Sequence, residues 1–285
     1  MTDLAAIVFD RGVSPADKRR AARKWLRRWQ LSRLPSLRSA GYAVSRRAAE
    51  LTAVIYFFTP RGEDFAAFEF AVLQTWRVIG KTPVVIVADR AVDEAERFRE
   101  AHADFVSVQI EPSLRPGDIR SMTADCIERL HRRFETPYCL TIQDDGFPVS
   151  DALDRFLGAY DYIGAPSVRD VPAQYIVDIT RCACMNGGFS LRSRRICRDV
   201  AGQWRFWRRF VDQSSPSYSE DVVYSQICCR NPLFRLRNRF PSSRTARRFS
   251  LPDFDGAVDI RNPPELPFGV HGPTAVWQLA SCGAI

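Results

Sequence analysis

An α/β fold with a Rossmann-like, mostly parallel sheet is predicted by two observations. Between residues 51 and 143, four short runs that are apolar throughout alternate with helix-patterned stretches, the signature of a parallel sheet covered on both faces. After Asp151 the alternation weakens into a mixed second half with longer irregular stretches. The 285-residue length and 46% hydrophobic content supply a well-buried core and exclude a disordered or fibrous chain.

In chain order, residues 1–50 read as a basic N-terminal arm. Within it residues 16–34 are helical, with Ala22, Trp25, Leu26 and Trp29 at i, i+3, i+4 and i+7 and an Arg/Lys-rich opposite face. Such a helix either lies on a membrane surface or docks its tryptophans on the main domain. Pro35 to Gly41 reads as a linker. Residues 51–285 then form one domain, with a Rossmann-like half (51–150) and a mixed half (151–285) that would supply a second substrate's surface. The expected strands of the first half are Thr52–Phe58, Pro83–Asp89, Phe105–Ile110 and Tyr138–Gln143. The helices between them are Glu63–Ile79, Val92–His102 and an Ile119–Phe134 stretch with Met122, Ile127 and Leu130 on one face. In the second half, strands near Tyr162–Ala165 and Gly188–Arg192 frame the irregular Pro166–Met185, and an Arg/Trp-rich helix covers Arg194–Val211.

Charge is distributed unevenly: +8 over residues 1–50, −7 over 51–184, +10 over 185–250 and −3 over 251–285. No basic stripe carries a nucleic-acid-binding motif, so nucleic acid is not an expected partner. The longest apolar run, Ala53–Phe58, is far short of the roughly 20 residues a spanning helix needs. No basic segment precedes the apolar patch Leu4–Phe9, so the expected location is cytoplasmic. Cys126, Cys139, Cys182, Cys184, Cys197, Cys228, Cys229 and Cys282 form no C-x-x-C pair and read as reduced structural thiols.

Parallel sheets bind ligands beyond the carboxyl ends of their strands. There the fourth strand ends in Gln143-Asp144-Asp145-Gly146, two carboxylates that suit a hard divalent cation or simply make a turn. Asn186-Gly187-Gly188 lets the backbone approach a ligand closely, or forms a tight turn. Ser219-Glu220-Asp221 is either helix-start chemistry or a functional carboxylate pair. His271, in the Gly-flanked Phe268–Gly272 loop, is a metal ligand, a phosphate contact or structural, whereas His102 and His131 sit in helical contexts and read as packing or surface residues.

The series YDYIGAP, NGGFSLRS, SEDVVYSQ, ARRFS and PFGVHG, behind a strand ending in QDDGF, resembles a domain-of-unknown-function family assigned to glycosyltransferases of the GT-A (nucleotide-diphospho-sugar transferase) fold. The likeness runs over about residues 52–274. It implies a GT-A-like fold and transfer of a sugar from a nucleotide-diphosphate sugar to a glycan or lipid-linked acceptor, by inversion, in surface-polysaccharide synthesis at the inner membrane face. It also implies a divalent cation (Mn²⁺ or Mg²⁺) on Asp145 and His271, with Asp145 in place of the second Asp of the D-x-D motif. Gln143 stands where that motif's first Asp would be, which leaves Asp144 as a substitute second carboxylate. Asp221 is the implied general base with Glu220 beside it. Asn186, Gly187, Gly188, Gln143 and Asp144 would line donor or acceptor, with Arg247 and Arg248 on the diphosphate. The competing expectation is a GT-A scaffold without turnover that binds a sugar or a partner protein.

Overall fold

The computed structural model describes residues 7, 10, 12–58, 65–166, 185–209, 213, 218–228, 231–251, 266–281, 283 and 285. The first helix, α1 (Pro15–Arg38), starts where the Ser14 hydroxyl accepts the Asp17 N–H and Pro15 fills a first-turn position that needs no N–H. It runs on through Pro35, where the sequence predicts a linker. Pro35 is exposed and lies in the last turn, and Leu34 and Leu37 on either side are buried, so core packing outweighs the lost hydrogen bond. Leu26, Leu34 and Leu37 join the same core as Leu51, Ile55 and Phe70. Trp25 and Trp29 stack on each other, and Trp29 meets the edge of Phe70 at 5.3 Å. Of the two expectations for this helix, docking is the one the structure shows.

Strand β1 (Leu51–Phe57) is buried along its whole length, as is β2 (Val84–Ala88). Between them α2 (Phe65–Ile79) turns Phe68, Leu73 and Trp76 inward. Helix α3 (Asp93–Ala101), with Asp93, Glu94 and Glu96 complementing its N-terminal dipole, leads to edge strand β3 (Val106–Ile110). His102 caps α3 and packs edge-on against Trp76 and Phe98, the packing role expected of it. The helix expected from Ile119 to Phe134 breaks at Arg129 into α4 (Ile119–Glu128) and α5 (Leu130–Arg133). Strand β4 (Tyr138–Ile142) follows, then short β5 (Gly146–Pro148), β6 (Tyr162–Pro166) and β7 (Met185–Ser193). Ser193 accepts the Ile196 N–H to cap α6 (Arg194–Trp207). The C-terminal part contains α7 (Glu220–Val222), which passes into a π-helical turn (Val223–Cys228), then α8 (Pro232–Arg237), α9 (Ser243–Phe249), β8 (Ser250–Leu251), β9 (Gly269–His271) and α10 (Pro273–Ser281).

The main sheet has the order β3-β2-β1-β4-β7-β6. The first four strands are parallel, and β7 runs antiparallel between β4 and β6. This is the α/β, mostly parallel, Rossmann-like architecture expected, with the antiparallel pair supplying the mixed half. A second sheet, β5-β9-β8, covers the carboxyl end of β4. Among the described cysteines Cys126, Cys139, Cys197 and Cys228 are free and buried, in line with structural thiols. Cys182, Cys184, Cys229 and Cys282, and most of the Pro166–Met185 stretch, lie outside the described residues. No helix among the described residues is long and apolar enough to cross a membrane.

Candidate active site

The Gln143 and Gly146 backbones exchange hydrogen bonds of 2.9 and 3.0 Å, so Asp144 and Asp145 form a two-residue turn at the carboxyl end of β4. Pairing of β5 with β9 sets His271 opposite Gly146. Its Nε2 lies 3.1 Å from Gln143 Oε1 and 3.8 Å from Asp145 Oδ1. The Asp145 carbonyl accepts the N–H of Gly272, whose φ of +104° is open to glycine at little cost. Two residues separated by 126 positions in sequence, the metal ligands that the resemblance implies, are therefore neighbours.

The glycine pair of β7 is the wedge of the site. A β-carbon on Gly188 would stand 2.3 Å from His271 Nε2 and 2.4 Å from Gln143 Oε1. One on Gly187 would stand 2.2 Å from Glu220 Oε1 and 2.6 Å from Arg192 Nη2. Neither position tolerates a side chain without displacing these groups. Asn186 spends its carboxamide oxygen locally, accepting the Gly188 N–H at 2.9 Å to hold the turn. Thr141 of β4 ties the same turn down by donating to the Gly187 carbonyl at 2.8 Å.

Beneath this turn Arg192 is wholly buried. Its Nη2 donates to the Gly187 carbonyl at 3.1 Å and to Glu220 Oε1 at 3.3 Å, and its Nε donates to Ser190 Oγ at 2.9 Å. The guanidinium lies beside the stacked rings of Tyr162 and Tyr224, 5.4 and 4.6 Å from their centroids. Burial, helped by the adjacent Asp221, raises the Glu220 carboxyl pKa against the pull of Arg192. Asp221 is half-buried, and its Oδ1 accepts the Val222 N–H at 2.7 Å and the Ser219 hydroxyl. Ser219 is thus spent on Asp221 and makes no side-chain cap bond, unlike the simple helix start it suggests.

The cations on the acidic turn come from an unexpected place. Arg23 Nη2 of α1 is 3.1 Å from Asp145 Oδ2, and Arg27 Nη2 is 3.2 Å from Asp144 Oδ2. Gln30 of the same helix donates to the Asp144 carbonyl. Arg247 and Arg248, expected on the diphosphate, are exposed on α9, where the Arg248 carbonyl accepts the Phe268 N–H. Arg23, Arg27, Gln30 and Arg192 were not picked out by the sequence. The available signal was the helical spacing of Arg23, Arg27 and Gln30, which reads as the solvated face of an arm until its docking is seen.

A divalent cation would need Asp145, His271 and Gln143 together. No group of three or more His, Cys, Asp or Glu side chains able to hold a metal gathers among the described residues. Both turn carboxylates are also already matched by guanidiniums. The donor set therefore does not fit a divalent cation as it stands.

No curated protein matches this chain. Among solved structures it is similar to TarS 1–349 from S. aureus in complex with UDP-GlcNAc, at 10% identity over 53% of this chain and 47% of that one, TM-score 0.36. It is similar to the mannosyltransferase PcManGT from Pyrobaculum calidifontis, in complex with GDP-Man and Mn²⁺, at 12% identity over 69% of this chain and 58% of that one, TM-score 0.38. A third likeness is to core-mannan synthase A (CmsA/Ktr4) from Aspergillus fumigatus in a Mn/GDP form, at 9% identity over 66% and 74%, TM-score 0.44. The chain thus spans about half the length of the first of these and less than two thirds of the second. A family model described as "Protein of unknown function (DUF5672)" matches residues 122–271, more than half of the chain and every element of the site except α1, and the chain belongs to that family.

Proposed function

We propose that this chain is a GT-A glycosyltransferase of the inverting kind, a hexosyltransferase that moves a sugar from a nucleotide-diphosphate sugar to a hydroxyl acceptor. One observation carries the reading. Gly187 and Gly188 are consecutive, so their Cα atoms are about 3.8 Å apart. The one abuts Glu220 and the other abuts His271 and Gln143. A single bare dipeptide therefore separates Glu220, at the start of α7, from the turn that ends β4, leaving one floor with different chemistry at each side.

On this reading the donor's diphosphate lies toward the Asp144–Asp145 turn and the acceptor toward Asp221. The acceptor oxygen forms its bond to the anomeric carbon as the bond from that carbon to the diphosphate oxygen breaks. The electron pair leaves with the nucleoside diphosphate, and the acceptor's proton passes to the Asp221 carboxylate. Glu220, fixed by Arg192, anchors the start of α7, the element that carries Asp221. The growing charge on the leaving diphosphate must be met by cations in place before reaction. The acceptor is a glycan or lipid-linked hydroxyl of a surface polysaccharide, met at the inner face of the membrane. Exposed Arg20, Lys24 and Arg28 of α1 give that encounter an electrostatic attraction to anionic headgroups without insertion of the docked tryptophans.

A panel of UDP-, GDP- and dTDP-sugars incubated with the full chain should give slow donor hydrolysis for one nucleotide class, measured as released nucleoside diphosphate. Binding of a nucleotide sugar with neither hydrolysis nor transfer to any offered glycan acceptor would favour the scaffold without turnover.

A further inference from the structure

The docking of α1 changes what the acidic turn presents. Arg23 and Arg27 lie four residues apart on one stripe of the helix, and each guanidinium meets one carboxylate of the turn. The stripe is fixed by its own helix: Ala22, Leu26, Leu34 and Leu37 are buried, and Arg38 forks onto Glu69 through two hydrogen bonds of 2.6 Å. This is not a loose cover resting on a site. Arg23 nonetheless keeps 58% of its side chain exposed, while Asp145 keeps only 9%. A guanidinium has five N–H donors in a planar fork, and Asp145 engages it at one nitrogen. More than half of the Arg23 side chain thus stays open to solvent beside the turn that ends β4. Residues 16–34 carry eight Lys or Arg against Asp17 alone, so the surroundings stay positive after Asp144 and Asp145 are counted.

We propose, resting on the transferase reading above, that Arg23 and Arg27 of α1 are the diphosphate-binding residues of the donor site and take the place of a divalent cation there. Asp145 and Asp144 are then positioning residues, which aim the two guanidiniums at the phosphates. Arginine suits this task because its fork matches two phosphate oxygens at once and its charge does not titrate near neutral pH. A metal ion would have to displace Arg23 from Asp145 to bind the same carboxylate, so the two arrangements exclude each other.

Calorimetry of the full chain with UDP, GDP and dTDP, in EDTA and in excess Mn²⁺, tests this. One of the three should bind with the same Kd in both buffers. Arg23→Ala should weaken that binding roughly 10- to 100-fold, the scale of lost charge-assisted hydrogen bonds, and Arg27→Ala should weaken it in the same direction. Arg23→Lys should restore part of the loss. Arg205→Ala, a cation removed from α6, should leave it unchanged. Thermal melts should confirm that Arg23→Ala is folded, as expected for a largely exposed side chain. Nucleotide binding that requires Mn²⁺ overturns the proposal. So does equal or tighter binding by Arg23→Ala, which would make α1 an inhibitory cover. No binding of any nucleoside diphosphate to the parent in either buffer overturns the transferase reading itself.

Discussion

Arg192 and Asp221 illustrate how much a single side chain can decide in this site. Arg192 is buried with its charge balanced by Glu220, so removing it leaves a carboxylate uncompensated in the interior. Arg192→Ala should cost about 3–5 kcal/mol of stability by urea denaturation, and Arg192→Met with Glu220→Leu should recover much of that loss, since an apolar pair of similar volume removes both buried charges. Asp221→Asn should keep the hydrogen bond from Val222 and leave nucleotide binding within a few-fold of the parent, while turnover falls about 10²- to 10⁴-fold. Parental turnover by that variant would reduce Asp221 to a turn-forming residue. At this scale the motifs were legible where chemistry depends on residue type: Asp145, His271 and the glycine pair do converge. Arg192 was not legible, because an arginine next to the end of a strand reads as a solvated residue until its burial beside the stacked rings of Tyr162 and Tyr224 is seen.

Among the elements, α1 is the one whose sequence reading left its destination open. Its helical character follows from periodicity, but its destination depends on which surface offers a complementary face, and no local pattern reports that. A freely solvated arm could be removed without consequence. With Leu26, Leu34 and Leu37 in the core, deletion of residues 1–40 should instead destabilise the chain markedly, each leucine contributing about 1.5–3 kcal/mol of burial. Leu34→Ala alone should cost about 2–5 kcal/mol in a denaturant titration. A truncated chain that melts at the parental temperature would contradict this packing. Strand β7 was found as a strand, but its antiparallel direction was not legible, because a strand's own composition does not report its direction.

For the molecule as a whole, acid stability provides a measurable signature. Burial pushes the Glu111 carboxyl up, but hydrogen bonds from Ser113, Arg133 and Arg129 outweigh this and hold its pKa down at about 2, below the ordinary 4.5. A carboxylate depressed in the folded state stabilises above its unfolded pKa and loses that contribution as pH falls toward the folded value. Stability should therefore drop between about pH 4.5 and pH 2 by up to about 2 kcal/mol from this group, allowing for solvent screening, and Glu111→Gln should flatten that part of the curve. The overall architecture was the most legible level, since continuous apolar strands separated by helices leave few alternatives to a parallel sheet.

The packing of α1 against both α2 and α10 carries a temporal consequence. Helix α10 ends at Ser281, so about 240 residues separate the two partners in the order of synthesis. At roughly 5–20 residues per second, translation takes on the order of 12–50 s to complete the surface on which α1 rests. During that interval Trp25, Leu26 and Trp29 belong to a nascent amphipathic helix with an unfinished partner, open to any chaperone or lipid surface close to the ribosome. The helix that reaches the acidic turn in the finished protein is thus made well before the last of the surfaces that secure it.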